Sequence, residues 1–88
     1  MKKFYTFEPC ASSNSFEIKF NNKININKIN FGKIVANTNI VLLLKIDDAV
    51  VSIYASGKIM LKNIKTQKAK ELANILYKKL KECDAFEI

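Results

Sequence analysis

Two adjacent carboxylates and two thiols are the residues of this chain best suited to catalysis or metal binding. Asp47 and Asp48 form a pair of acids, the arrangement that general acid–base catalysis uses. Adjacent side chains at a strand turn point apart, however, so we interpret this pair as a turn. Cys10 and Cys83 have neither CxxC spacing nor a histidine in the chain to pair with, which argues against a zinc site or a thiol–imidazole nucleophile. Because the chain also lacks a glycine-rich phosphate loop, we expect no enzymatic activity, metal, cofactor or small-molecule substrate.

The charged residues indicate a different kind of partner. All 15 cationic residues are lysines, and the net charge is +7. This excess of positive charge favours a polyanion, DNA or RNA, as a ligand. The missing arginine removes the forked side chain that usually reads guanine, which argues against base-specific recognition in the major groove. The alternative is compositional, because lysine, asparagine and isoleucine share A/T-rich codons and a biased genome supplies the same charge without selection for binding.

Length and composition predict a single domain. Eighty-eight residues enclose one hydrophobic core, and 49% hydrophobic residues with two glycines and one proline are typical of a packed globular protein. The longest apolar run, residues 40 to 44, is too short to cross a membrane. Two thiols without a signal peptide favour a reducing, cytoplasmic location.

Alternating hydrophobicity predicts an antiparallel sheet of four or slightly more strands. Residues 15 to 20 alternate strictly between apolar and polar side chains, which is typical of a half-buried strand. Three more strands follow one another through tight turns and occupy residues 40 to 46, 49 to 56 and 58 to 64. Within residues 1 to 14, residues 4 to 7 form either an extra edge strand or an arm outside the sheet.

Helical spacing appears in two places. Residues 66 to 82 predict a long C-terminal helix, whose apolar positions are Ala69, Leu72, Ala73, Leu76, Leu80 and Cys83. The asparagine-rich segment after the first main strand predicts a short helix, with an apolar stripe of Ile26, Ile29, Phe31 and Ile34 and with Asn27 as its cap. The expected fold class is therefore α+β: a curved antiparallel sheet with the long helix across one face.

Strand periodicity divides the sheet into two faces. The face expected under the long helix consists of Phe16, Ile18, Leu42, Leu44, Ile46, Val51, Ile53, Ile59 and Leu61. The opposite face consists of Ser15, Glu17, Lys19, Val41, Leu43, Lys45, Ser52, Tyr54, Ser56, Lys58, Met60 and Lys62. No helix of the chain is expected to cover this second, mixed face.

Four segments resemble one half of the saddle of the TATA-box-binding protein family. The stretch "IYASGKIML", followed by a lysine before the long helix, is similar to that family's aromatic-x-Ser-Gly-Lys hairpin. "ELANILYKKLKE" resembles its Leu-Ala-rich helix, "KININKI" the segment leading into its first helix, and "LLLKIDD" the strand before its first turn. The resemblance covers residues 15 to 82, about three quarters of the chain.

The resemblance implies a concave sheet that binds the DNA minor groove. The family's saddle has two such repeats, whereas this chain has one. In the family each repeat inserts two phenylalanine side chains between base steps and kinks the duplex. Tyr54 matches one of these positions, while the other falls near Asn39, which cannot intercalate in that way. Glu17 would also lie on the DNA-facing side and repel phosphates, so strong kinking is not expected.

Two functions of the mixed face remain as alternatives. The first is weak, largely non-sequence-specific binding of DNA or RNA. The residues assigned to it are Lys19, Lys45, Ser52, Tyr54, Ser56, Lys58, Met60 and Lys62. The second is a protein-interaction or homodimer interface, because an exposed apolar sheet face marks a partner surface. The residues assigned to it are Val41, Leu43 and Met60.

Overall fold

The described part of the chain folds mainly into one antiparallel sheet and one long helix. The structure, a computed structural model, describes residues 5–9 and 15–87, with side chains over 15–87. The strands are β1 (Tyr5–Pro9), β2 (Ser15–Phe20), β3 (Lys33–Asn37), β4 (Val41–Ile46), β5 (Ala49–Tyr54) and β6 (Lys58–Lys62), and the helix is α1 (Thr66–Glu82). All neighbours in the sheet order β1-β2-β6-β5-β4-β3 are antiparallel. The coarse prediction of an α+β fold with one long C-terminal helix is confirmed.

The core lies between α1 and one face of the sheet. Eight of the nine sheet residues predicted to face the helix are buried, and Ile46, at the end of β4, is half-buried. The helix contributes its predicted apolar stripe, of which Cys83 alone is half-buried. No side chain caps the N-terminus of α1, and its first turn contains no acidic residue. Packing against the sheet, rather than capping, therefore stabilises this helix.

The segment after β2 and the C-terminal tail close one end of the core. Ile24 forms an isolated antiparallel bridge with Phe86, and the Asn25 amide donates to the Ala85 carbonyl over 2.6 Å. The rings of Phe20, Tyr77 and Phe86 stack or tilt against one another with centroids 5.0 to 6.1 Å apart. These contacts hold the end of β2 against the end of α1.

The predicted short helix is wrong. A single 3-10 turn occupies Ile26–Lys28, and Asn25, not Asn27, caps it by accepting a hydrogen bond from the Asn27 amide over 3.1 Å. The chain then passes through Gly32, whose φ of 74° interrupts helical geometry, and continues as β3. Isoleucine and valine favour an extended backbone, and β4 supplies hydrogen-bond partners for it. Tertiary pairing thus overrides the apolar stripe, and Ile34 lies exposed on a strand.

The N-terminal segment adds an edge strand. Strand β1 pairs with β2 in an antiparallel register that places Phe7 opposite Ile18. Of the two alternatives for this segment, the structure has the extra strand over Tyr5–Pro9. One edge of the sheet is therefore β1 and the other is β3.

Candidate nucleic-acid interface

The side of the sheet opposite α1 carries the predicted binding residues. We call this side the open face and define it by Ser15, Glu17 and Lys19 of β2, Val41, Leu43 and Lys45 of β4, Val50, Ser52 and Tyr54 of β5, and Lys58, Met60 and Lys62 of β6. Ser56 does not belong to it, because the chain leaves β5 at Tyr54 and residue 56 lies in the turn before β6. The other predicted site residues are all brought together on this face.

Strand register arranges the open face in three rows. The middle row runs across the sheet from Glu17 through Met60 and Ser52 to Leu43. One flanking row consists of Lys19, Lys58, Tyr54 and Val41, and the other of Ser15, Lys62, Val50 and Lys45. An uncharged strip across β6, β5 and β4 therefore has Lys62 and Lys45 along one side, and Lys58 and Lys19 at the β6 and β2 end of the other side.

The uncharged side chains of the open face are only partly exposed. Val41, Leu43, Tyr54 and Met60 are half-buried, and Ser52 is buried. In contrast, the side chains of Lys19, Lys45 and Lys62 are exposed. The lysines are therefore more exposed than the apolar side chains that they border.

Lys58 and Tyr54 form one unit. The Lys58 Nζ atom lies 4.8 Å from the centroid of the Tyr54 ring, within the range of a cation–π interaction. The hairpin that carries both residues turns at Gly57, where φ is 104° and a β-carbon would collide with the carbonyl oxygen of Asn22. The carbonyl of Gly57 accepts the amide of Phe20 over 2.9 Å. The tip of the hairpin is thus fixed to the end of β2, and glycine is required there.

Glu17 weakens the positive potential at one corner of the open face. Its Oε1 atom lies 3.3 Å from Lys19 Nζ, in an ion pair on the same strand. Lys19 is therefore partly neutralised, whereas Lys45 and Lys62 have no such acidic neighbour in the strand register. Lys33, which was not predicted as a binding residue, lies opposite Lys45 on β3. No local sequence pattern indicates this position, because it depends on the pairing of β3 with β4.

Positive charge also covers the other side of the molecule. The helix side carries exposed lysines at positions 68, 70, 78, 79 and 81. Two of them rest over aromatic rings: Lys79 Nζ lies 5.8 Å from the Phe31 centroid, and Lys81 Nζ lies 5.3 Å from that of Tyr77. What distinguishes the open face is therefore the combination of lysines with an apolar strip, not the number of lysines.

Asp47, Asp48 and Cys83 lie outside the strand positions that define the open face. Asp47 and Asp48 are exposed in the β4–β5 turn, where Asp47 has a φ of 54° and the Asp48 carbonyl accepts Asn63 Nδ2 over 2.9 Å. Cys83 is a half-buried free thiol after α1, and Cys10 lies outside the described residues. Across residues 5–9 and 15–87, no three metal-ligating side chains cluster together.

The position that the resemblance assigns to a second wedge is exposed. Asn39 lies in the β3–β4 connection, beside Ile40, whose side chain is 69% exposed. Tyr54, at the first wedge position, is half-buried beneath Lys58. Neither position therefore presents a fully exposed aromatic ring that could insert between base steps as phenylalanine does in the family.

No helix in the described part of the chain is long and apolar enough to cross a lipid bilayer. No protein-family model, curated protein or solved structure matches this chain.

Proposed function

We propose that this protein is a small nucleic-acid-binding module of the TATA-box-binding-protein-like half-saddle type. It binds DNA or RNA weakly on the open face, with little dependence on base sequence. The observation that carries the proposal is the uncharged strip bordered on both sides by lysines, on a sheet face that α1 leaves uncovered. Lysines bind phosphates as point charges, and a flat strip with one aromatic ring accommodates sugars and bases of any sequence.

Each part of the open face has a role in this proposal. Lys45, Lys58 and Lys62 neutralise phosphates, with Lys33 extending the basic border onto β3. Tyr54 and Met60 provide the apolar contact. Without arginine the module has no bidentate contact to guanine, so affinity depends on charge and stacking rather than on base identity.

The salt dependence of binding tests this proposal. With about four lysines reaching phosphates, the slope of log affinity against log salt on duplex DNA should be about −3 to −4, following roughly −0.9 per contact. Lys58→Ala and Lys62→Ala should each flatten the slope by about one. Fluorescence anisotropy titrations with labelled single- and double-stranded DNA and RNA measure it. Lys78→Ala, an exposed lysine of the helix side, is the matched control and should leave the slope unchanged.

Two results would refute nucleic-acid binding by the open face. The first is an absence of binding at about 50 mM salt, where electrostatic contacts are strong. The second is an equal flattening of the salt slope in the Lys78→Ala control and in the two open-face variants. In the second case the helix side, or overall charge alone, would account for the affinity.

Removing the negative charge of Glu17 from the open face should strengthen binding. Glu17→Gln releases Lys19 from its ion pair and removes a charge that repels phosphates. We expect affinity for duplex DNA to rise by about 0.5 to 1 kcal/mol, roughly two- to fivefold, with a salt slope steeper by up to about one. Glu71→Gln, which changes an exposed acid on α1, is the control and should raise the affinity by less. Equal effects of both variants would show that only net charge matters.

A protein-interaction surface on the same face is the second candidate. It is favoured by Val41, Leu43 and Met60, whose apolar atoms remain partly open to water with no helix over them. Met60→Lys should abolish binding of a protein partner or a second copy at this face while leaving the lysine border intact. The same variant should reduce nucleic-acid affinity by much less, since it adds a positive charge.

A further inference from the structure

The lysines of the open face are distributed unevenly. Strand register places Lys62, Val50, Lys45 and Lys33 in one row across β6, β5, β4 and β3. The three lysines of this row are exposed, and three strand spacings of about 4.8 Å give the row a length of about 14 Å. We call these three lysines the lysine line. In the other two rows of the open face, no lysine lies on β5 or β4.

Beyond the lysine line, the open face over β3, β4 and β5 is uncharged. Its side chains there are half-buried, apart from the buried Ser52 and the exposed Ala36. Lys58 borders this area on β6, with its Nζ atom over the Tyr54 ring. With Met60 of β6 included, we call the area the uncharged field, which consists of Met60, Ser52, Leu43, Ala36, Tyr54 and Val41.

Acidic residues lie at the other end of the sheet. Glu17 continues the row of Met60 and Ser52 onto β2, and the register of β1 places Glu8 opposite Glu17. Negative charge at this end disfavours phosphates. A nucleic acid is therefore directed over β6 to β3, where the lysine line and the uncharged field lie side by side.

We propose that the open face binds single-stranded DNA, with the one sugar-phosphate backbone along the lysine line and the bases over the uncharged field. This inference rests on the proposed function and names its ligand. Unpaired bases expose flat faces, which stack on aromatic rings and pack against apolar side chains whatever the base. Tyr54 supplies the ring of the uncharged field, and Leu43 and Met60 supply apolar area beside it.

A duplex fits this distribution of charge less well. Two backbones border each groove, about 12 Å apart across the major groove and about 6 Å apart across the minor groove. With one backbone on the lysine line, the second would lie near Tyr54 and Val41, about 13 Å away along the strands, or over the nearer row of Ser52 and Leu43. Neither row offers it a lysine on β5 or β4. Paired bases would also turn their edges, rather than their faces, toward the uncharged field.

The side chains beside the lysine line favour DNA over RNA. The sugars lie between the phosphates and the bases, and so over the boundary between the lysine line and the uncharged field. On β5 this boundary consists of Val50, which is half-buried, and Ser52, which is 7% exposed. The 2′-hydroxyl groups of RNA would lose water there without gaining an accessible hydrogen-bond partner. Deoxyribose has no such group to desolvate.

A comparison of three ligands tests the inference on the unmodified full chain. Fluorescence anisotropy at about 50 mM NaCl gives the dissociation constants of a labelled DNA strand of about 12 nucleotides without self-complementarity, of its duplex, and of the RNA strand of the same sequence. We expect the single-stranded DNA to bind at least about fivefold more tightly than the duplex and about twofold more tightly than the RNA. Its salt slope should be about −2, following roughly −0.7 per contact for the three lysines.

Val41→Lys tests the absence of a second line of charge. The new lysine adds positive charge on the far side of the uncharged field, where the second backbone of a duplex would lie. It should raise the affinity for the duplex more than that for the single strand, and so lower the preference at least about twofold. Ile75→Lys adds the same charge at an exposed position of α1, and as the control it should leave the preference unchanged. Circular dichroism checks that both variants are folded.

The outcomes separate this inference from the proposed function. A duplex bound as tightly as the single strand, or more tightly, would overturn the inference and leave nucleic-acid binding intact. RNA bound as tightly as DNA, or more tightly, would overturn the choice of DNA. Equal changes of preference in Val41→Lys and Ile75→Lys would overturn the role of one-sided charge. An absence of binding to all three ligands would refute the proposed function and the inference together.

Discussion

Replacing Leu76 with alanine is expected to lower the free energy of unfolding by about 2 to 5 kcal/mol. Leu76 lies on the sheet-facing side of α1 and is 0% exposed. Truncation removes apolar atoms from the core and leaves a cavity that the packed sheet beneath can only partly fill. Urea unfolding followed by circular dichroism measures the change.

Ile75→Ala is the matched control for this substitution. Ile75 is the preceding residue on the same helix, of equal size, and 45% exposed. Its replacement should change stability by less than about 1 kcal/mol, because less apolar surface leaves a packed environment and alanine favours the helix. If Leu76→Ala and Ile75→Ala had equal small effects, α1 would not be part of the core, and the described architecture would be wrong.

Replacing Tyr54 with alanine is expected to weaken nucleic-acid binding by about 1 to 3 kcal/mol without changing the salt slope. The ring lies at the edge of the uncharged strip, beneath Lys58, where it can stack on a base or sugar. The substitution removes stacking area but no charge, so the number of released counterions should stay the same. Titrations of the same labelled strands at two salt concentrations separate the two effects.

Tyr54→Phe distinguishes the ring from its hydroxyl group. Phenylalanine keeps the stacking surface and the cation–π contact with Lys58, so this variant should bind nearly as well as the parent. Unchanged affinity in Tyr54→Ala would mean that the strip does not touch nucleic acid. The lysines would then bind phosphates alone, and the proposal of a combined apolar and basic surface would fail.

The parts of the fold with strong periodicity were predictable from the sequence. The 3.6-residue repeat of Leu72, Leu76 and Leu80 identified α1 with its observed bounds. Strict alternation identified β2, and the two-residue period of a strand assigned the two faces of β4 to β6. These patterns are visible in the sequence because one side of each element is buried. A shift of strand register by one residue would turn the core side chains toward solvent.

The segment between β2 and β4 could not be assigned from the sequence. Ile26, Ile29 and Ile34 fit a helical stripe, but the first two are buried beyond the end of the sheet and the third lies on an edge strand. The strand depends on pairing with β4, which is a tertiary interaction that local spacing does not encode. Lys33 was missed for the same reason, because its place beside Lys45 follows only from that pairing.

The order of strands in the sheet determines how the core can assemble. Strands β3 to β6 form a chain of neighbours joined by short turns, whereas β2 pairs with β6 across a loop that contains the whole of β3, β4 and β5. Closing that loop costs more chain entropy than forming any of the hairpins. Phe16 and Ile18, buried at the junction of β2 with β6, offset this cost. Cohesion between the two parts of the sheet therefore depends on the β2–β6 pairing and on the apolar side chains buried there, and not on a short covalent connection.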